Sequence, residues 1–259
     1  MQKEDTKFAD SLIFEGMTSI RAVIRAIDEG RSDRRITEII YDEDKMPKIA
    51  KEIGYFKAVS EKYGFTISRS NANELEKLTL GSSHGGIIAR TTERTFPTIT
   101  SDTDLPKRGF FCMIQGIEDP YNFGYAIRSL YACGVDGIIL PMRNWMSAAG
   151  VVCRASAGAS ELTDMYVAEA EDAIQIFKNR GYTVVCAEES TDNVLGECSL
   201  PLPILLIVGG ERRGISRSVL ELADKLVKID YAREFRASLS AASATTMFAF
   251  EIMRQNKYK

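Results

Sequence analysis

Two glycine-containing segments hold the residues whose types and spacing could do chemistry: residues 115–140, and residues 207–216, which read IVGGERRGIS. Each couples an apolar strand pattern to a glycine-bearing turn and a helix, which is where open α/β sheets bind ligands. Gly209 and Gly214 have the spacing of a phosphate-binding loop, but Ile215 stands where that loop has its lysine. No G-x-G-x-x-G follows any strand pattern. The segments therefore predict a ligand other than an ordinary triphosphate or dinucleotide.

The reactive side chains exclude several kinds of chemistry. His84 is the only histidine, and the sequence has neither a G-x-S-x-G elbow nor an H-E-x-x-H pair, so the common hydrolases are poor candidates. The cysteines show no C-x-x-C spacing and none is close to His84 in sequence, so we expect no metal site. We expect most of them to be small core residues in a reducing compartment. They are Cys112, Cys133, Cys153, Cys186 and Cys198.

Composition and charge set wider limits. At 259 residues, 45% of them hydrophobic, the chain is long enough for a sizeable core and two domains. No apolar run approaches the ~20 residues that span a bilayer, so we expect a cytoplasmic protein with no membrane partner. The net charge of −3 means that nucleic-acid binding would depend on local basic patches. One arginine-rich edge could face RNA or, given its acidic neighbours, could equally be solvated surface: Arg21, Arg25, Arg31, Arg34 and Arg35.

Residues 1–95 carry alternating helix and strand patterns that predict a small α/β domain. Residues 96–108 are polar and contain Pro97 and Pro106, which predicts a linker. The elements expected in the domain are a helix over 8–29, a strand over 36–41, a helix over 46–63, a strand over 65–69, a short helix through Leu80 capped by Asn71 or Asn73, and a strand over 86–90.

Residues 109–259 predict a second α/β domain. Several of its strands are continuous apolar runs, which is typical of a mostly parallel sheet covered on both faces. The last helix is apolar on much of its surface, so it lies either in the core or at a subunit interface. Strands are expected at 110–114, 137–140, 183–187, 204–208 and 226–229, and helices near 122–133, 170–180, 216–223 and 238–255.

Three motifs of this second domain, taken in order, resemble the SpoU/TrmH branch of the SPOUT RNA methyltransferases. They are Asp119-Pro120-x-Asn122-x-Gly124-x-x-x-Arg128, Gly209-x-Glu211-x-x-Gly214-Ile215, and Ile229 followed by Ser238-Leu239. Residues 154–159, RASAGA, look like the small-residue segment of that family. The first domain is similar to the ribosomal-protein-like RNA-binding domain that often precedes the catalytic one, with residues 84–89, HGGIIA, resembling its H-x-G-[IV]-x-A strand.

The resemblance implies a specific activity and architecture. Members of the family use S-adenosylmethionine to methylate a ribose 2′-hydroxyl in RNA, have a trefoil knot in the C-terminal domain, and act as homodimers with the active site at the subunit interface. The N-terminal domain favours ribosomal RNA over tRNA. Main-chain groups would hold the cofactor at Val208, Gly209, Gly210, Gly214, Ile229, Ser238 and Leu239. The ribose and its phosphate would approach Asn122, Arg128, Glu211 and Ser240.

The residue types also suit this chemistry when they are considered apart from the family resemblance. Glycines permit close main-chain approach and unusual dihedral angles. Methyl transfer from a sulfonium is chiefly a matter of positioning, because the donor is already activated. Arg128 can clamp a phosphate, but a guanidinium holds its proton at neutral pH and is a weak base, so we assign it orientation and electrostatics. Asn122 could in addition cap its helix.

The third motif departs from the family pattern. The family reads S-L-N-x-S, whereas Ser240 replaces the asparagine here, and Asp230-Tyr231 replaces the usual Pro-Met after Ile229. A serine can make one hydrogen bond in place of the amide, but with a shorter reach. Two alternatives to ribose methylation of ribosomal RNA therefore stay open: a catalytically silent RNA-binding protein with a relict domain, and a relative that methylates tRNA or a base.

Overall fold

The chain folds into two compact units. The first, unit 1, contains the described residues of 1–95 and 144–162, and the second, unit 2, contains those of 96–143 and 163–259. The computed structural model describes residues 12–79, 84–141, 148–210, 212–235 and 237–257.

The helices and strands alternate along most of the chain. In chain order they are β1 (Ile13–Glu15), α1 (Gly16–Asp28), β2 (Ile36–Asp42), a 3₁₀ turn (Glu43–Lys45), α2 (Met46–Tyr63), β3 (Thr66–Ser70), α3 (Ala72–Leu78), β4 (Ile87–Thr91), β5 (Phe110–Gln115), α4 (Pro120–Ala132), β6 (Gly137–Leu140), α5 (Ala149–Ala155), α6 (Ala159–Leu162), β7 (Met165–Val167), α7 (Ala170–Asn179), β8 (Thr183–Ala187), β9 (Ile204–Gly209), α8 (Arg217–Leu222), β10 (Lys225–Val227) and α9 (Ala241–Asn256).

Unit 1 is built on a four-stranded mixed sheet in the order β1-β4-β2-β3. The helix predicted over 8–29 begins only at Gly16, because Ile13–Glu15 is extended and pairs with β4; residues 8–11 lie outside the described residues. Of the two predicted caps for α3, Asn71 is the one used: its side-chain oxygen accepts a hydrogen bond from the Glu74 N–H at 3.0 Å. The apolar stripe of α1 and the buried face of α2 cover this sheet.

The small-residue segment packs inside unit 1. A Cβ added to Gly158 would lie 2.5 Å from the Cβ of Ala22, so α1 approaches this turn as closely as a glycine allows. The Arg34 Nε donates to the Glu161 Oε2 at 3.1 Å, and the two side chains are 1% and 4% exposed. The Arg94 guanidinium donates to the Ser160 carbonyl at 2.9 Å. Side-chain packing and a buried ion pair thus bind α5 and α6 into unit 1.

Unit 2 is built on a six-stranded sheet in the order β10-β8-β9-β5-β6-β7, in which every pairing is parallel. This confirms the predicted parallel α/β architecture. β5 and β9 are buried along almost their whole length, as their continuous apolar runs predict. Residues 96–108, which we predict to be a linker, lie in unit 2, where Ile99 and Leu105 are buried in the core.

One face of the unit 2 sheet packs around a cluster of aromatic rings. The Phe111 ring lies 5.0 Å from that of Phe177 and 5.9 Å from that of Tyr182, and α7 and α8 complete this layer. The last helix begins at Ala241 rather than at residue 238, and it packs against α4 and β9. Ser238 and Leu239 therefore lie before the start of this helix. Within the described residues, no helix is both long and apolar enough to cross a membrane.

Candidate active site

A cleft of about 320 Å³ opens at the carboxyl ends of β8, β9 and β10. This is the edge of a parallel sheet at which α/β proteins bind ligands. All seven residues predicted to hold a cofactor line it, although they come from three separate segments of the sequence. The structure therefore brings together the second and third motifs, as the sequence predicts.

The wall after β9 is a glycine turn in which main chain packs on main chain. The Gly214 N–H donates to the Gly210 carbonyl at 3.0 Å, and Gly214 has a positive φ of 61°. A Cβ on Gly210 would overlap the carbonyl of Gly116, and one on Gly209 would overlap the main chain of Gly214. Glycine is required here because the opposing atoms are backbone, which cannot move aside as a side chain can. Glu211, a predicted catalytic residue in this turn, lies outside the described residues.

The first motif forms the start of α4. The Asp119 carboxylate caps this helix by accepting a hydrogen bond from the Asn122 N–H at 2.8 Å, and Pro120 is its first residue. The cap is therefore Asp119 and not Asn122. Arg128 lies about two turns further along and is exposed. The cleft has no lining residue from α4, so neither Asn122 nor Arg128 reaches the cleft of its own chain.

Ser240 caps the last helix. Its Oγ accepts a hydrogen bond from the Ser243 N–H at 3.2 Å. Serine and asparagine are nearly equal as helix N-caps, because each places a side-chain oxygen next to the free N–H groups of the first turn. The replacement of the family asparagine therefore keeps the cap. Ser240 lies between the lining residues Leu239 and Ala241 but does not itself line the cleft.

Tyr231 and Glu188 also line the cleft, although neither is among the site residues predicted from the sequence. The Leu239 N–H donates to the Tyr231 hydroxyl at 3.2 Å, and the Tyr231 ring makes an edge contact with Phe235 at 5.9 Å between centroids. Tyr231 thus ties together the two ends of the loop between β10 and α9. The sequence marked Tyr231 only as part of Asp230-Tyr231, which replaces the Pro-Met of the family. It marked Glu188 only as a residue that directly follows an apolar strand.

The arginine-rich edge of unit 1 is not a uniform basic surface. Arg34 is buried against Glu161, and Arg25 and Arg31 both pair with Glu29, at 2.6 Å and 3.0 Å. The ion pairs offset much of the positive charge that the sequence places there.

His84 is a structural residue of unit 1. Its side chain is buried, its Nδ1 accepts a hydrogen bond from the Gly86 N–H at 3.1 Å, and burial lowers the pKa of the imidazole. The neutral ring therefore holds the turn before β4.

A parallel α/β unit with a glycine-walled cleft and these three motifs has the features of a methyltransferase of the SpoU type. The model of the SpoU rRNA methylase family matches residues 109–250, and the chain belongs to that family. The resemblance inferred from the three motifs is thus confirmed.

Individual relatives extend the likeness over both units. The chain is 27% identical over 236 residues to the 23S rRNA (guanosine-2′-O-)-methyltransferase RlmB of Shewanella oneidensis, covering 88% of this chain and 87% of that protein. The crystal structure of an RNA 2′-O ribose methyltransferase has the same fold, with a TM-score of 0.78 at 18% identity, covering 98% and 96% of the two chains. So does AviRb of Streptomyces viridochromogenes in complex with AdoMet, with a TM-score of 0.76 at 19% identity and 98% of both chains covered.

Proposed function

We propose that this chain transfers a methyl group from S-adenosylmethionine to a ribose 2′-hydroxyl of ribosomal RNA. The observation that carries the proposal is the single cleft that gathers all seven predicted cofactor residues. Family membership and the name of the Shewanella oneidensis relative support the reaction and the class of RNA. The retained cap at Ser240 favours an active enzyme over a relict domain.

The cleft suits S-adenosylmethionine in shape and in charge. Its wall at Gly209 and Gly210 is main chain packed on main chain, so this turn presents backbone groups and no side chain to a ligand. The Glu188 carboxylate lines the cleft at the end of β8. A carboxylate at this place suits a ligand with a cationic sulfonium and ammonium, and disfavours a phosphorylated nucleotide. When bound, the cofactor supplies an activated methyl group.

The residues of this chain bind and orient the two substrates. Main-chain groups of the turn at Gly209 and of the segment at Leu239 hold the cofactor, and Asn122 and Arg128 position the RNA ribose. The Arg128 guanidinium is suited to a bidentate grip on the neighbouring phosphate, which would fix the direction of the 2′-hydroxyl. A phosphate oxygen of the RNA then accepts the hydroxyl proton, because the guanidinium stays protonated. We assign Glu211 to the same site on the family resemblance.

We further propose that the active site is completed in a homodimer. Arg128 is exposed and outside the cleft of its own chain, on a helix that also exposes Tyr121 and Tyr125. The adjoining helix α9 exposes Met247 and Phe250. Exposed aromatic and methionine side chains beside an arginine have the composition of a protein interface. A second copy on this surface would bring its Arg128 to the cleft.

The two units would divide the work. Unit 1 would capture structured RNA, and unit 2 would carry out the transfer and contain the trefoil knot that the family resemblance implies. Support for the knot is that the chain, after β10 at one edge of the sheet, returns to pack α9 against α4 and β9. Crosslinking of ribosomal RNA to the full chain, with mapping of the crosslinked peptides, tests the first assignment: crosslinks confined to unit 2 would contradict it.

The reaction is tested by incubating the protein with methyl-labelled S-adenosylmethionine and either ribosomal RNA or tRNA. We expect label in ribosomal RNA, and nuclease digestion with mass spectrometry should place it on a ribose. Label on a base, or in tRNA alone, would contradict the proposal. Cofactor binding without transfer to either RNA would favour the silent RNA-binding protein.

The shared site is tested by mixing two variants that should each be inactive: Arg128→Ala, which lacks the guanidinium, and Gly209→Trp, whose side chain has no room in the cleft wall. In a mixed dimer, the intact cleft of one protomer meets the intact Arg128 of the other. Random mixing should therefore restore about a quarter of the parental activity, because half of the dimers carry one complete site. No recovery from a mixture that sedimentation shows to contain dimers would place the whole site within one chain.

A further inference from the structure

Glu188 places a carboxylate in the cleft at the end of β8, the strand next to the edge strand β10. It follows directly after β8, is half-buried, and lines the same cavity as Gly209 and Leu239. Its neighbour Glu189 also lines the cleft but is exposed. The two carboxylates therefore offer a matched pair in which one is held at the strand end and the other extends into the turn.

The Glu188 carboxylate has a fixed direction. Its Oε1 accepts a hydrogen bond from the Ser190 N–H at 3.1 Å, and its own N–H donates to the Val227 carbonyl at 3.0 Å. The loop beyond it is tied to β10, since the Asn193 Nδ2 donates to the Leu226 carbonyl at 2.9 Å. Among the described residues, the Ser190 N–H is the one hydrogen-bond donor to this carboxylate. The other carboxylate oxygen of Glu188, Oε2, is thus held in place and is available to accept hydrogen bonds from a ligand.

The order of the strands indicates which part of a ligand this carboxylate meets. β8 lies between β10, which leads to Ile229, and β9, which leads to Gly209. An adenosyl cofactor has its ribose between the purine and the sulfonium. Whichever end of the cofactor faces β10, its middle faces β8, and the middle offers two hydroxyl donors. A carboxylate at a strand end is a suitable acceptor for such a diol.

We infer that Glu188 accepts hydrogen bonds from the ribose hydroxyls of the adenosyl cofactor and so positions it in the cleft. The inference depends on the proposed function, because it assumes an adenosyl ligand. Glu189 is exposed and lies one residue further into the turn, and it does not share this role. The competing partner for the Glu188 carboxylate is the ammonium group of the methionine moiety, and the experiment separates the two.

The experiment is calorimetric titration of the intact protein with S-adenosylhomocysteine and with 5′-methylthioadenosine, which lacks the amino-acid part. In Glu188→Gln the amide oxygen can still accept from the Ser190 N–H, so the turn is kept while the charge is lost. We expect this variant to bind both ligands more weakly by on the order of ten- to a hundred-fold, the usual loss for a hydrogen bond to a charged group. Glu189→Gln, the matched control, should bind both ligands as the parent does.

A third ligand lacks the ribose hydroxyls that the Glu188 carboxylate would contact. The 2′,3′-dideoxy form of 5′-methylthioadenosine should bind the parent weakly, and it should bind Glu188→Gln with nearly the same affinity as it binds the parent. Weakening of S-adenosylhomocysteine alone, with 5′-methylthioadenosine unaffected, would assign the carboxylate to the ammonium and overturn the inference. Parental affinity of Glu188→Gln for both ligands would also overturn it. A parent that binds neither ligand would contradict the proposed function itself.

Discussion

The segments around Gly158 and Gly210 look alike in sequence, since both are rich in small residues and both match the family pattern, yet they meet different surroundings. At Gly158 the opposing atom is the Cβ of Ala22, a side chain on a helix of unit 1. At Gly210 the opposing atom is the main-chain carbonyl of Gly116. The first segment is close packing between helices, whereas the second is the wall of a ligand cleft.

The structural role of a glycine motif therefore depends on which atoms lie opposite its glycines. A glycine packed on a side chain contributes to stability, because helices approach closely and bury apolar surface. A glycine packed on main chain shapes a cavity whose hydrogen-bonding groups are backbone. Substitutions at the two segments should therefore separate stability from cofactor binding.

The largest effect is expected at Glu161, which joins the Gly158 segment to the rest of unit 1. Glu161→Gln leaves the charge of Arg34 buried without its partner, which should lower the free energy of unfolding of unit 1 by roughly 3–5 kcal/mol. Hydrogen exchange measured by mass spectrometry should show lost protection in β2 and β4. Glu29→Gln, which removes an exposed partner of Arg25, is the control and should leave protection unchanged.

The same experiment also tests whether the two segments have different roles. If the Gly158 segment belonged functionally to the cleft, Glu161→Gln would reduce the affinity for S-adenosylmethionine while unit 1 kept its protection.

A smaller effect, of the opposite kind, is expected at Gly210. In Gly210→Ala the new Cβ overlaps the Gly116 carbonyl, so the turn must shift and the cleft wall with it. Overpacking of this kind costs about 1–3 kcal/mol, and we expect S-adenosylmethionine to bind roughly ten-fold or more weakly in calorimetry. Hydrogen exchange in unit 1 should be unchanged.

Gly54→Ala is the matched control for Gly210→Ala. Gly54 lies in α2 and a Cβ there would meet no other atom, so this substitution should leave cofactor affinity as it is and stabilise α2 slightly. Parental affinity in Gly210→Ala would mean that the turn does not shape the cofactor site.

Patterns that repeat along the chain made much of the fold predictable. The continuous apolar runs of β5 and β9 predicted buried parallel strands, and the bounds predicted for α2 agree with the structure. The spacing of Gly209 and Gly214 predicted a turn at the strand end, which the structure contains. In each case the information is local, or repeats with the period of the element.

Other features depend on partners far away in the sequence. The short helices α5 and α6 show no clear periodicity, and their place in unit 1 depends on the pairing of Arg34 with Glu161, 127 residues away. The roles of Tyr231 and Glu188 depend on which strands are neighbours, and the sheet order does not follow the chain order. No pattern within one segment encodes such pairings.

The smallest effect is expected at Ser240, where the cleft adjoins the start of α9. Ser240→Ala removes the acceptor for the Ser243 N–H and should lower the free energy of unfolding of unit 2 by about 1 kcal/mol. Ser240→Asn supplies another good cap, so stability and methyl transfer should both stay close to those of the parent. Urea denaturation and the methyl-transfer assay measure the two properties. An inactive parent that gains activity in Ser240→Asn would show that the family asparagine acts on the RNA, and that a cap alone does not replace it.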